Sequence, residues 1–204
     1  NTANHGGGMY LDNSNPTLTH VTIIDNSADD GGGMRLDHSS PTLTYVTISD
    51  NTANQAGGGG IYLNNSSPTL AYVTISENTA NQGGQGGGMR LLSSNPILSH
   101  VTISGNTAED GGGMYLRSSS NPTLTNSILW DNTPESIYIL SGTPLITYSD
   151  IEVVWEGDGN INLDPLFNED YTLQEGSPCI DAGNPHLWYQ DLDGTLSDMG
   201  ITGG

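Results

Sequence analysis

Gly6-Gly7-Gly8-Met9-Tyr10-Leu11 opens a unit that runs on through Asn15-Pro16-Thr17-Leu18-Thr19-His20-Val21-Thr22-Ile23 to Asp25-Asn26. The same order then recurs along the chain. The residue after the glycines is Met9, Met34, Ile61, Met89 and Met114, at spacings of 25, 27, 28 and 25. Pro16, Pro41, Pro68, Pro96 and Pro122 keep step with it. The extra residues fall between Asn54 and Gly57 and between Asn81 and Gln85, where a loop can absorb them.

Each unit holds three short alternating runs. Met9 and Leu11 flank Tyr10, Leu18 sits between Thr17 and Thr19, and Val21 and Ile23 flank Thr22. Period-two alternation rich in β-branched residues predicts strands with one buried face. Glycine triplets and a proline in every unit argue against helical repeats. Three strands and their turns make one coil, and coils are stable only when stacked. The expected fold class is therefore all-β: a right-handed parallel β-helix, a solenoid of about six coils of 22–28 residues with a C-terminal cap.

Residues 1–133 read as regular coils, 134–154 as a degenerate last coil and 155–204 as a capping segment. In the fifth coil Ser127-Ile128-Leu129-Trp130 replaces the usual Val-Thr-Ile pattern. Beyond it the aromatics Trp155, Phe167, Tyr171, Trp188 and Tyr189 gather in the tail, as the cover of an open solenoid end requires. Asn1-Thr2-Ala3-Asn4 copies the end of later units, so the chain is expected to be a piece of a longer protein.

The chain carries 23 acidic residues, 3 arginines and no lysine, for a net charge of -20. Such a surface repels phosphate backbones, so nucleic acid is not expected as a partner. No apolar run reaches the ~18 residues of a membrane span, so membrane insertion is not expected either. The single Cys179 reads as a small buried hydrophobe.

Stacking turns each position of the unit into a row. Asn26, Asn51, Asn78, Asn106 and Asn132 form one such row, read as a structural amide ladder. Tyr10, Arg35, Tyr62, Arg90 and Tyr115 form another, outside the first strand. It fits either cation–π stacking or a glycan-binding strip. Asp25, Asp50, Glu77 and Asp131 form a third, interrupted by Gly105, and obey the repeat as turn residues do. Asp191, Asp193 and Asp198 surround a glycine turn, a partial calcium-type loop, so Ca2+ is the one cofactor considered.

Several tail motifs carry a resemblance. They run in order from Asn126-Ser127-Ile128-Leu129-Trp130-Asp131-Asn132 and Tyr148-Ser149-Asp150-Ile151 to Asp164-Pro165-Leu166-Phe167 and Tyr171-Thr172-Leu173-Gln174. Gly176-Ser177-Pro178-Cys179-Ile180-Asp181-Ala182-Gly183, Asp191-Leu192-Asp193-Gly194 and Asp198-Met199-Gly200 follow. Together they resemble the C-terminal part of secreted bacterial parallel β-helix proteins, the pectate-lyase-like surface proteins. The resemblance implies the fold and an extracellular or cell-surface location. The functional expectation is a non-catalytic module for adhesion or carbohydrate binding, with polysaccharide or cell-surface glycan as partner and no residue assigned to catalysis. A polysaccharide-active enzyme, either a calcium-assisted lyase or a glycoside hydrolase, is one alternative. A structural stalk or filament subunit that assembles end to end is another.

Overall fold

A computed structural model of the chain describes residues 1–191 and 194–202. Its strands lie in three parallel sheets that wind into a right-handed β-solenoid of about six turns. The first sheet pairs Thr2–His5, Ser27–Asp30, Thr52–Gly57 and Thr79–Ala80. The second stacks Met9–Asp12, Met34–Asp37, Ile61–Asn64, Met89–Leu92, Met114–Arg117 and Ile137–Ile139. The third runs from Thr17–Thr19 through the long strands Thr69–Ser76 and Ile97–Ser104 to Leu145–Thr147. Register is exact between repeat markers: Met9 pairs Met34, which pairs Ile61, then Met89, then Met114.

The core is the set of inward rows. Met34, Leu36, Leu43, Val46 and Ile48 of one coil lie under Ile61, Leu63, Leu70, Val73 and Ile75 of the next, all buried. Leu43 and Val46 both point inward although three residues apart. Of the two residues between, Tyr45 has a φ of 54°, and this left-handed corner resets the in–out phase. Further left-handed corners fall on the Asp25, Asp50, Glu77, Gly105, Asp131 row and on the Asn13, His38, Asn65 row.

Glycine is needed before each Met for space. A Cβ on Gly32 would lie 2.5 Å from the Thr52 carbonyl carbon, and one on Gly33 would meet the Asn51 amide and the Ile48 side chain at 3.0 Å.

The tail does two separate things. Trp155 packs on the solenoid core, and the Asn160 side chain with Ile161 adds a last set of rungs to Ser149, Asp150 and Ile151. From Asp164 onward the chain turns back along the outside of the solenoid. Tyr171 reaches Glu77, Ser197 reaches His100, and the Gly200 N–H donates to the Asn126 carbonyl. The aromatic tail is thus less a lid on the end than a strap along one flank. The described residues include one 3-10 turn, Leu187–Tyr189, and no helix long and apolar enough to cross a membrane.

Candidate functional site

Four rows and one strap hold the residues with chemical potential. The asparagine row runs through the interior. Asn78 Oδ1 accepts from both the backbone N–H and the side-chain amide of Asn51 at 3.0 Å, and Asn78 Nδ2 donates to Asn106 Oδ1 at 3.0 Å. The same pattern links Asn26 to Asn51 and Asn106 to Asn132. All five side chains are buried, so each amide meets most of its hydrogen-bonding needs within the row. A serine row that sequence reasoning missed does the same: the Ser39 N–H donates to Ser66 Oγ, the Ser66 N–H to Ser94 Oγ and the Ser94 N–H to Ser120 Oγ. Serine is common enough in loops that its period does not stand out in the sequence.

The Tyr/Arg row forms on the outer face of the second sheet, with Tyr10 beside Arg35, Arg35 beside Tyr62, Tyr62 beside Arg90 and Arg90 beside Tyr115. The guanidinium carbons sit 5.0–6.0 Å from the neighbouring ring centroids. The two arginines differ in partners. Arg35 is held by Asp30 at 2.6 Å and Asp37 at 2.8 Å, which keeps its guanidinium protonated more firmly than usual despite the cost of burial. The same contacts, with Asn64 and the Tyr10 hydroxyl, hold the Asp37 carboxyl below the usual range even though burial opposes it. Arg90 makes no ion pair among the described residues. It donates to the Ala56 carbonyl and leaves its Nε unpartnered between Tyr62 and Tyr115. The inserted loop at Asn54–Gly57 therefore leans over the row. Tyr62, Arg90 and Tyr115 are only 8%, 8% and 5% exposed, while Tyr10 is 47% exposed. Tyr138 continues the row, stacked on Tyr115 at 5.4 Å. As a surface for sugar rings the row therefore offers its two end tyrosines, Tyr10 and the partly buried Tyr138, while the inner ring faces are taken by the stack.

A second aromatic row lies at the left-handed corner within the third sheet, after strands such as Thr17–Thr19. His20, Tyr45, Tyr72 and His100 stack with ring centroids 5.1, 5.0 and 4.8 Å apart. In the sequence these residues stand at a variable position two after a core leucine, behind Thr19, Thr44, Ala71 and Ser99, and the left-handed corner that aligns them leaves no separate signal. His100, at the inner end, is buried under the strap. Its Nε2 lies 2.7 Å from Ser197 Oγ and 3.0 Å from Asn126 Nδ2, and its Nδ1 lies 3.0 Å from Ser99 Oγ. Asn126 Oδ1 accepts the Asn184 N–H, so its amide must present N–H to the imidazole, and Nε2 must be the unprotonated nitrogen. Burial agrees, lowering the His100 pKa to about 4.

The strap continues past this clasp with Tyr189, whose ring is tilted 6.1 Å from His100. In the same 3-10 turn Trp188 is 88% exposed and Leu187 is 77% exposed, and His186 lies parallel to the indole at 6.5 Å. Asp191 comes near enough to Tyr72 for its charge, after burial and Tyr45, to help raise that phenol's pKa.

The calcium candidates are divided. Asp193 lies outside the described residues. Asp191 closes a turn through its backbone, accepting from the Gly194 N–H, and Asp198 Oδ1 accepts from the Asp181 N–H at 2.9 Å. Among the described residues no three His, Cys, Asp or Glu side chains converge as a metal site. Elsewhere in the tail the buried Cys179 thiol donates to Asp150 Oδ2 at 3.1 Å, and burial raises both pKa values. This thiol is a packed hydrogen-bond donor, held in its neutral form.

A family model described as a right handed beta helix region matches residues 1–71 and 45–155, about three quarters of the chain. No curated protein and no solved structure matches it. With the stacked parallel sheets and the matched rows, the chain belongs to the right-handed β-helix family.

Proposed function

We propose that this chain is a non-catalytic, extracellular β-helix module for carbohydrate binding or adhesion. The observation that carries this reading is the Leu187–Tyr189 turn. It holds an indole almost fully in water, with the His186 ring parallel to it and Tyr189 of the same turn tilted against His100. An isolated tryptophan face costs free energy in water, and a pyranose ring offers the apolar C–H face and the hydroxyls that suit an indole with polar neighbours. The inner rings of the stacked rows are less suited to this, since their faces are already paired. The acidic surface favours neutral or cationic glycans over uronates. Calcium at the Asp191–Asp198 loop belongs to the same reading, supported by the short carboxylate spacing, and added CaCl2 should then raise the melting temperature relative to EDTA.

The test is a glycan array followed by titration of the native chain and of Trp188→Ala. Binding to neutral glycans that Trp188→Ala loses at least tenfold supports the reading. An array with no hits overturns it, and release of reducing ends or unsaturated products from any polymer overturns its non-catalytic part.

A further inference from the structure

Where the strap crosses the coils, at its other end from Trp188, a groove of about 480 Å3 opens on the solenoid flank. Its floor is Thr47 and Ser49 of one coil in register with Thr74 and Ser76 of the next. Thr74 and Ser49 are each 7% exposed, and neither hydroxyl has a partner among the described residues. Both sit at outward positions of their strands, so their remaining access is into this groove. Each hydroxyl thus faces the groove and is free to exchange solvent for a ligand oxygen or nitrogen.

One wall is Asp50 and Glu77, and the other is the strap segment Glu169–Tyr171. No ion pair offsets any of these carboxylates among the described residues. Glu77 departs from its row. The next position is Gly105, and a Cβ there would lie 2.3 Å from Glu77 Oε1, so the glycine leaves room for this carboxylate to lean over it. The Tyr171 hydroxyl then donates to Glu77 Oε1 at 2.7 Å and fixes it at the groove mouth. The strap side is also set: Thr172 donates to Asp170 Oδ1 through both its N–H and its hydroxyl, which shapes the turn presenting Glu169 and Asp170. An interruption of a regular row, a fixed carboxylate and hydroxyls open to the groove thus meet at one place.

We infer that this groove binds a cationic polyhydroxyl ligand, namely an oligosaccharide of unacetylated amino-sugar units. Its protonated amines meet the Asp50, Glu77, Glu169 and Asp170 carboxylates, and its hydroxyls meet Thr74 and Ser49. A simple polycation would satisfy the walls but not the floor, and a neutral sugar the floor but not the walls. A uronate would be repelled by both the walls and the overall charge of -20. The choice of a sugar rests on the carbohydrate reading above, but the site is independent of Trp188.

Calorimetric titration of the whole chain with tetraglucosamine, its fully N-acetylated form, tetragalacturonate, spermine and CaCl2 tests this. Tetraglucosamine is expected to bind, weakening with added salt, and the acetylated and uronate forms to bind at least tenfold less well. Glu77→Gln and Asp50→Asn, both at exposed corners and checked for folding by circular dichroism, should each weaken it roughly tenfold. Thr74→Val should weaken tetraglucosamine more than spermine, and Glu156→Gln, at an exposed carboxylate outside the groove, should leave it unchanged. Spermine binding as tightly as tetraglucosamine with no effect of Thr74→Val overturns the inference, as does calcium binding alone. If Trp188→Ala abolishes every saccharide signal while Glu77→Gln does nothing, the groove inference falls and the carbohydrate reading stands. If tetraglucosamine binds through the groove but Trp188→Ala changes no glycan, the groove stands and the Trp188 reading falls.

Discussion

The coils and the strap are held by opposite means. In the coils every residue type recurs, and the same hydrogen bond is made again one turn on: Asn26 to Asn51, Asn51 to Asn78, Asn78 to Asn106. In the strap each contact occurs once: Tyr171 with Glu77, His100 with Ser197, Asn184 with Asn126, Cys179 with Asp150. The strap does not dock anywhere on the repeat. It docks where the repeat breaks its own rule. Gly105 stands in an acidic row, Asn126 in an aromatic one, and Ile128 and Trp130 where Thr102 and Ser104 stand one coil earlier. A repetitive surface is self-similar and gives a unique partner no reason to prefer one coil, so the exceptions supply the address.

The largest effect should come from breaking a middle rung. In Asn78→Ala the buried Asn51 N–H and amide lose their acceptor, and Asn106 Oδ1 and the Ile48 carbonyl each lose a donor. Stranding several buried polar groups at once should cost about 4 kcal/mol. The denaturant midpoint for loss of β circular dichroism measures it. If Asn78→Ala costs no more than Asn26→Ala, at the end of the row, the ladder is not what holds the coils in register.

The next effect belongs to the strap alone. Unfolded, the His100 imidazole takes a proton near its ordinary value of about 6.5, and folded it resists to about 4. Between those values the unfolded state binds the extra proton. The strap's stability from this site is therefore full above pH 6.5, falls as pH drops through the window and is flat below about 4. The whole span amounts to roughly 3 kcal/mol. Protonation would also set an Nε2 proton against the Asn126 amide. The facing groups are Tyr72 and Tyr189, with Asp191 beyond Tyr72, and none of them places a carboxylate on the imidazole to stabilise its charge. Asp150 acts the other way: burial raises its carboxyl, so its contribution is present at low pH and is lost as pH rises through the raised value. Limited proteolysis and Trp188 fluorescence between pH 7 and 4 should show the strap loosening before the coils. His100→Gln should remove that dependence and Asp150→Asn should leave it. Loosening in step with the coils would mean that the two regions fold as one unit.

How much of this the sequence reveals follows the same division. The coil register, the core rows and the asparagine and Tyr/Arg positions are legible because repetition amplifies a weak local signal: one Met proves little, but Met9, Met34, Met89 and Met114 in step define a strand. The burial of Tyr62 and Arg90 is not legible, since it depends on how the Asn54–Gly57 insertion bends. Nor is the His20–Tyr45–Tyr72–His100 stack, which needs the backbone corner to be known. The strap's path is hidden for a deeper reason. Single long-range contacts such as Tyr171 with Glu77 have no period, so composition suggests a cover without saying that it runs along the flank.

One part of the strap's address can nevertheless be read and erased. Ile128 occupies the outward position held by Thr22, Thr47, Thr74 and Thr102 in earlier coils, and it is fully buried against Cys179 and Met199. Ile128→Thr returns this coil to the repeat. Threonine suits the strand and its neighbour is Thr102, so the solenoid should lose little. The strap loses a buried apolar contact and acquires a hydroxyl facing a thioether and a neutral thiol, for a cost of about 2 kcal/mol. The expected result is a protein with unchanged coil unfolding, a protease-sensitive tail after about Asp164, and weakened binding at any site the strap helps to build. Substituting Thr22→Ile, at the exposed member of the same row, is the matched control, adding one exposed apolar side chain with little change in stability. Equal losses from the two substitutions would mean that the strap reads no address at Ile128 and is positioned by its polar clasps alone.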